Sequence, residues 1–166
     1  MSRVLTGGCQ CGAVRFAVSG PLGRASLCHC RMCQKAFAGP YGALVSAPEG
    51  LAWTRGAPAY FRSSNRARRG FCAACGTPLT FEPDGEPVDL AIAAFDTPSA
   101  ITPVIQHRRD ERIAWTDETA GLPVRAAEEA AAAEGWYASI IPFQHPDHDT
   151  DHWSAPGQDD PGPGPR

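Results

Sequence analysis

The sequence predicts a mainly β fold in a single domain, the first from its local residue patterns and the second from its length and composition. Four short segments carry the β-branched, aromatic and aliphatic residues typical of strands, and glycine and proline separate them. These segments are AVRFAV, YGALVSA, AYFRS and VDLAIAAF. The chain has 166 residues, of which 43% are hydrophobic and 20% are charged. This composition is typical of a single globular domain with a small core.

The N-terminal sequence MSRVLTGGC has no apolar segment of the kind found in signal peptides. No run approaches the about 18 apolar residues that a membrane span requires. The net charge of −3 gives no indication of binding to nucleic acid or to an anionic membrane. We therefore expect a cytoplasmic protein with neither of these partners. Cytoplasmic thiols stay reduced, so patterned cysteines there indicate metal binding or catalysis more than disulfides.

Seven cysteines fall into three clusters along the chain. GGCQCG contains Cys9 and Cys11, CHCRMC contains Cys28, Cys30 and Cys33, and FCAACGTPL contains Cys72 and Cys75. An odd number of cysteines cannot pair completely, which weakens the interpretation as a disulfide scaffold. Gly12 and Gly76 each follow a cysteine, as expected where the chain turns sharply beside a metal. Thiolates select zinc or iron–sulfur clusters, and the ferredoxin spacing C-x-x-C-x-x-C is absent from the sequence, so zinc is favoured.

The number of cysteines suggests two sites of different kinds. A structural zinc has four protein ligands, whereas a catalytic zinc has three and keeps one position open. The economical division joins the two pairs into a closed site and leaves the triplet as an open site. Spacing alone also permits Cys9 and Cys11 to join Cys30 and Cys33. A single closed zinc with three bystander thiols, and redox chemistry of the thiols, are further alternatives.

Three segments, GGCQCGAVRF, CHCRMCQKAFAG and RGFCAACGTPLTF, resemble the glutathione-dependent formaldehyde-activating enzyme family in order and spacing. That family also includes centromere protein V. The later segment IQHRRDERIAWTDETAGLP is similar to the end of the family's domain, so the resemblance extends from about Gly7 to Pro123. It implies several small antiparallel sheets that are stacked and stapled by zinc, the Mss-four-like class. It also implies two zinc ions per chain, a structural one at Cys9, Cys11, Cys72 and Cys75 and a catalytic one at Cys28, Cys30 and Cys33.

The resemblance further implies a carbon–sulfur lyase-type enzyme that acts on a glutathione–aldehyde adduct. In such a reaction glutathione is the co-substrate, and S-hydroxymethylglutathione is formed from formaldehyde. Three thiolates on Zn²⁺ leave a net charge of about −1, which favours activation of a bound thiol over ionisation of water. The alternative is a non-catalytic, zinc-stapled binding module of the centromere protein V type. The complete triplet favours an enzyme with a small thiol or aldehyde substrate.

Several other side chains are weaker candidates. Arg62, Arg66, Arg68 and Arg69 could bind the carboxylates of glutathione, although a solvated basic strand edge explains them as well. His29 could act as a general acid–base group or be only a loop residue. His107 is a distant candidate for a fourth zinc ligand. The aromatic residues near these positions are predicted to belong to the core and not to a substrate platform: Phe37, Tyr41 and Trp53.

The C-terminal region has a different composition. We expect a zinc-binding domain over residues 1–125, a helix and a possible strand over 126–144, and a disordered tail over 145–166. The segment VRAAEEAAAAEG favours a helix that ends at Gly135, and WYASIIPF could add a strand. The tail is rich in Pro, Gly, Asp and His, which disfavours burial. His145, His148 and His152 are therefore predicted to be solvated and not to form a metal site.

Overall fold

The computed structural model describes residues 4–154. Within that range the chain forms ten β-strands and two α-helices. The strands, β1 to β10 in chain order, are Leu5–Gly8, Arg15–Val18, Ala25–Cys28, Gly42–Ala47, Leu51–Arg55, Ala59–Ser64, Ala67–Phe71, Pro78–Pro83, Val88–Ala91 and Ile105–His107. The α-helices, α1 and α2, are Arg31–Ala36 and Ala127–Ala138. Short 3₁₀-helices span Ile92–Ala94, Pro98–Ala100, Arg109–Glu111 and Ala114–Gly121. The mainly β prediction is confirmed.

The strands form two sheets. A three-stranded sheet has the order β1-β2-β5, and a seven-stranded sheet has the order β10-β3-β4-β9-β8-β7-β6. All pairs are antiparallel except β10 with β3, which run parallel. The second sheet is thus larger than the small sheets expected, and it is mixed. The long connection from β9 to β10 allows the parallel pairing, because parallel neighbours need a crossover longer than a hairpin.

One hydrophobic core joins the two sheets. Phe16 and Val18 of β2 are fully buried, and they belong to the same cluster as Val45 of β4 and Leu90 of β9. The ring of Phe16 packs edge-on against Phe95, with 5.0 Å between ring centroids. In each of these strands two neighbouring residues are buried, so burial does not follow a strict alternation. The core therefore lies between the sheets.

Three of the four predicted strands are confirmed, as β2, β4 and β6. The fourth segment, VDLAIAAF, is a strand only as far as Ala91, where its pairing with β4 ends. It continues as a 3₁₀-turn, yet Ile92, Ala94 and Phe95 remain buried. Burial explains the continuous apolar pattern there, and that pattern cannot distinguish a strand from a buried turn.

The C-terminal helix is longer than predicted. Helix α2 continues through Gly135 to Ala138, and the Ser139 hydroxyl donates a hydrogen bond of 2.7 Å to the carbonyl of Trp136. A glycine inside a helix costs only about 1 kcal/mol relative to alanine. The high helix propensity of the surrounding alanine and glutamate residues offsets this cost. Residues 136–143 form no strand: residues 136–138 belong to α2, and residues 139–143 have no regular secondary structure. Helix α2 buries none of its residues.

The segment 145–154 follows the domain surface, and residues 155–166 of the predicted tail lie outside the described residues. Here the structure differs from the expectation for His145, whose side chain is only 3% exposed. The His145 amide donates a hydrogen bond of 2.7 Å to the carbonyl of Gln10. None of the described helices is long and apolar enough to cross a membrane.

Candidate metal centres

Two tight turns position the four cysteines of the first cluster. In the turn after β1, the Cys9 amide donates to the carbonyl of Val14, and the Gly12 amide donates to the carbonyl of Cys9. In the turn after β7, the Gly76 amide donates to the carbonyl of Cys72. Gly12 and Gly76 have φ values of +75° and +78°, a backbone conformation that favours glycine. The sharp turns predicted beside these cysteines are present.

The four sulfur atoms of Cys9, Cys11, Cys72 and Cys75 lie within 4.8 Å of one another. The Sγ atoms of Cys9 and Cys11 are 3.6 Å apart, and those of Cys11 and Cys72 are 3.8 Å apart. A zinc ion with four sulfur ligands at about 2.3 Å requires sulfur–sulfur distances of about 3.8 Å. The cluster therefore fits a closed tetrahedral zinc site. All seven cysteines are free thiols, so no disulfide competes with metal binding.

Two thiols of this cluster, Cys9 and Cys11, resist ionisation at neutral pH. Burial raises the pKa of Cys9 to about 12 and also raises the pKa of Cys11. Burial acts in the same direction on Cys75, but hydrogen bonds from Thr77 and neighbouring groups lower its pKa to about 6. Buried thiols with raised pKa values resist ionisation unless a cation lies beside them. A bound zinc ion would supply that charge.

The second cluster lies where β3 meets α1. Cys28 is the last residue of β3, Cys30 is the N-cap of α1, and Cys33 lies in the first turn of that helix. Their sulfur atoms also lie within 4.8 Å of one another. The Cys33 amide donates a hydrogen bond of 3.4 Å to the Cys30 sulfur. The structure thus groups the seven cysteines as four and three, and not with Cys9 and Cys11 beside Cys30 and Cys33.

Two thiols of the triplet, Cys28 and Cys33, differ in how readily they ionise. A hydrogen bond from the Cys33 thiol to the Cys28 sulfur lowers the pKa of Cys28 to about 5. The same bond raises the pKa of Cys33, and burial raises it further. Three convergent sulfur ligands without a fourth cysteine are the donor set of an open zinc site.

The triplet forms one wall of a cavity of about 290 Å³. The remaining lining is largely apolar, with Leu44 and Phe81 among its residues, but it includes two charged groups, Arg69 and Asp89. Burial raises the pKa of the Asp89 carboxyl, against the opposing effects of His107 and Ser46. Sequence reasoning missed Asp89, although a lone carboxylate in the otherwise apolar strand VDLA was a signal for it.

The two histidines near the triplet have different environments. His29 is 4% exposed, its Nε2 lies 3.0 Å from Oε1 of Gln106, and its ring packs against Tyr41. It does not line the triplet cavity. His107 does line that cavity, but its ring nitrogens lie outside the group of three sulfur atoms. His29 is therefore placed as a packing residue, and His107 as a cavity residue.

The four arginines of the predicted basic run also have different environments. Arg62 pairs with Asp84 at 2.8 Å, and Arg68 pairs with Glu82 at 2.7 Å. Arg66 is exposed in the turn between β6 and β7. Arg69 is only 4% exposed and lies at the triplet cavity. Arg62, Arg66 and Arg68 are therefore solvated, and of these Arg62 lies on the edge strand β6, whereas Arg69 is buried.

The remaining candidates from the sequence belong to neither cysteine cluster. Phe37 and Trp53 are half-buried against the core, and Tyr41 is 37% exposed beside His29. His145, His148 and His152 do not form a metal-binding group in the described part of the chain.

A buried ion pair between Arg15 and Asp96, at 2.6 Å, has no signal in the local sequence, because the two residues are far apart in the chain.

The fold and the two clusters define a class of small β proteins with two thiol sites suited to a soft metal ion. The chain matches the family described as glutathione-dependent formaldehyde-activating enzyme over residues 4–111. Because this match covers more than half of the chain, the protein belongs to that family. Membership supports a glutathione-dependent, formaldehyde-activating type of function in general.

Comparison with solved structures also finds similar chains. A Rhodobacter sphaeroides protein with a crystal structure has 23% sequence identity and a TM-score of 0.47, over 61% of this chain and 98% of that chain. No curated protein matches this chain.

Proposed function

We propose that the protein is a zinc-dependent carbon–sulfur lyase-type enzyme that acts on a glutathione–aldehyde adduct. Its reaction is the formation or cleavage of S-hydroxymethylglutathione, or of a related adduct. The observation that carries the proposal is the convergence of Cys28, Cys30 and Cys33 on the wall of a ligand-sized cavity. Membership of the family supports the choice of glutathione and formaldehyde.

Zinc at the triplet would supply a position at which an incoming thiol loses its proton. The protein's own contribution begins with three sulfur ligands, which make that position electron-rich and poorly suited to ionising water. Leu44 and Phe81 line the cavity with apolar surface, which disfavours water beside the reacting sulfur. These features favour addition of a thiol over hydrolysis.

A second cavity offers room for the peptide part of glutathione. It has a volume of about 300 Å³ and shares Arg69 with the triplet cavity. Lys35 lines it, and aromatic rings from Phe37, Phe61 and Phe71 contribute apolar walls. A cation beside apolar surface suits a small molecule with carboxylates and a short aliphatic body. Holding thiol and aldehyde together would provide an effective-molarity gain.

Exchange NMR of glutathione with formaldehyde tests the proposal, because it measures the rate at which S-hydroxymethylglutathione forms. The rate should increase in proportion to the zinc-loaded protein, and Cys30→Ser should abolish that increase. Arg62→Gln is the matched control, since Arg62 pairs with Asp84 at the surface away from the triplet cavity. Binding of glutathione without any acceleration would instead support the non-catalytic binding module.

A further inference from the structure

We propose that Arg69 binds a negatively charged oxygen that shares one carbon atom with the ligand's sulfur. This inference rests on the proposed function and deepens it. In a thiol–aldehyde adduct the sulfur and the oxygen are attached to the same carbon, so a site built for that adduct needs a partner for each. The triplet receives the sulfur, and Arg69 receives the oxygen.

The position of Arg69 is closely defined by its surroundings. It lies on β7 with 4% of its surface exposed. Its guanidinium lies 4.8 Å from the ring centre of Phe81 and 5.8 Å from that of Phe37. Its Nη2 lies 3.3 Å from the Cys33 sulfur and donates a hydrogen bond to it. The guanidinium is therefore held beside the triplet.

The rest of the guanidinium lacks hydrogen-bond partners. Nε and Nη1 of Arg69 are buried, and neither has a partner among residues 4–154. Asp89 lines the same cavity but forms no ion pair with Arg69 in that range. Buried donors on a charged group are rarely left unsatisfied, because the loss of hydration is costly. The aromatic rings stabilise the charge but accept no conventional hydrogen bond from these donors.

The chemistry explains why such donors are useful. In the addition step, a lone pair of the thiolate sulfur forms the new bond to the aldehyde carbon. The carbonyl π-electrons move to the oxygen, which becomes an alkoxide. That alkoxide then takes up the proton that the thiol had lost, so thiol and aldehyde give the hydroxy thioether without any further reactant. Arg69 donors placed at the developing charge would stabilise it most where water is excluded.

A simpler role for Arg69 is to neutralise the negative charge of the triplet. In that role a lysine would serve equally, and every thiol ligand would benefit to the same extent. The proposed role is directional instead, because a guanidinium offers several donors in a fixed plane and an ammonium is a point charge. The two roles therefore differ in how Arg69 substitutions affect ligands with and without the oxygen.

Thioacetate and ethanethiol are suitable probes. Thioacetate carries its sulfur and an oxygen on one carbon and shares a single negative charge between them, whereas ethanethiol lacks the oxygen. Calorimetry on the zinc-loaded protein gives a dissociation constant for each and hence a preference for thioacetate. We expect Arg69→Met to reduce that preference by about tenfold to a hundredfold, the range typical of a hydrogen bond to a charged group. Arg69→Lys should reduce it as well.

Arg68→Met is the matched control, because Arg68 is the neighbouring arginine, is half-exposed and pairs with Glu82. It should leave the preference unchanged. Zinc content is measured for each protein, and Arg69→Lys gives the answer if Arg69→Met does not fold. An unchanged preference in the Arg69 variants overturns this inference while leaving the thiol site intact. If wild-type protein binds neither probe, the proposed function fails as well.

Discussion

The indole Nε1 of Trp153 donates a hydrogen bond of 3.1 Å to the backbone carbonyl of Cys11, although 142 residues separate them in sequence. The Trp153 ring also packs edge-on against His145, with 5.2 Å between ring centroids. Both rings lie directly against Gly12, where a Cβ atom would overlap them. The C-terminal segment is therefore part of the wall around the closed cysteine cluster.

This contact predicts that Trp153 stabilises the domain. Trp153→Phe removes the N–H donor but keeps an aromatic ring, so it should lower the free energy of unfolding by about 1 kcal/mol. Trp136→Phe is the matched control, because Trp136 is 64% exposed on α2 and should change little. Chemical denaturation of both variants measures the difference. Equal stabilities of the two variants would mean that the hydrogen bond from Trp153 to Cys11 contributes nothing to folding.

The pair of Arg15 and Asp96 predicts a pH dependence of stability. Burial raises the pKa of Asp96, but the hydrogen bonds from Arg15 and Thr6 outweigh it and leave the pKa below its ordinary value. A lowered folded pKa means that the stabilisation is present above about pH 4 and is lost as the pH falls further. Asp96→Asn should therefore destabilise the protein at pH 7 by about 2 kcal/mol.

The difference between wild type and Asp96→Asn should shrink as the pH falls below 4, because the protonated carboxyl then resembles the amide. Denaturation curves at several pH values measure this convergence. Asp84→Asn is the control, since its pair with Arg62 is half-exposed and contributes little. If the difference in unfolding free energy between wild type and Asp96→Asn stays constant down to about pH 2, the assigned role of Asp96 is excluded.

The sequence predicts those parts of the molecule that depend on local chemistry. A division of seven thiols into four and three follows from ligand numbers, and the sharp turns follow from Gly12 and Gly76, although spacing left open which pairs join. The strands at β2, β4 and β6 follow from their side-chain composition. In each case the determining interactions lie within a few residues, or the number of ligands limits the choices.

The features that the sequence does not predict depend on distant partners. Arg69 resembles its neighbours in a basic run, and only the packing of Phe81 and Cys33 against it shows that it is buried. His145 lies in a polar segment whose composition favours solvation, yet long-range hydrogen bonds bring it to the closed cluster. Composition cannot reveal such contacts, because it reports the average environment of a segment.

Metal analysis should find two zinc ions per chain with unequal lability. The closed cluster has four ligands, three of them buried, so a mild chelator should remove its metal slowly. The triplet lies at a cavity and should lose its metal first. Elemental analysis before and after brief chelation measures both, and Cys30→Ser should lower the content by one ion. A single zinc that Cys30→Ser leaves in place would contradict the assignment.

The two clusters should also differ in their effect on stability. Cys72 and Cys11 lie 61 residues apart in sequence, so a metal at the closed cluster joins distant segments and contributes to folding. Cys72→Ser should therefore unfold or aggregate the protein. Cys33→Ser should leave a folded domain, since its cluster closes very little chain. Thermal melts of the two variants compare them, and equal losses of soluble protein would contradict this division.

Glutathione should bind at the triplet through its thiol. Ligation requires the thiolate, so binding should release about one proton at neutral pH. S-methylglutathione retains the peptide and both carboxylates but has no ionisable thiol, so it should bind at least tenfold more weakly. Calorimetry in two buffers with different ionisation enthalpies counts the proton, and Cys30→Ser should remove the difference between the ligands. Equal affinities in the wild-type protein would show that the peptide, and not the sulfur, determines binding, and the lyase proposal would then lose its chemical basis.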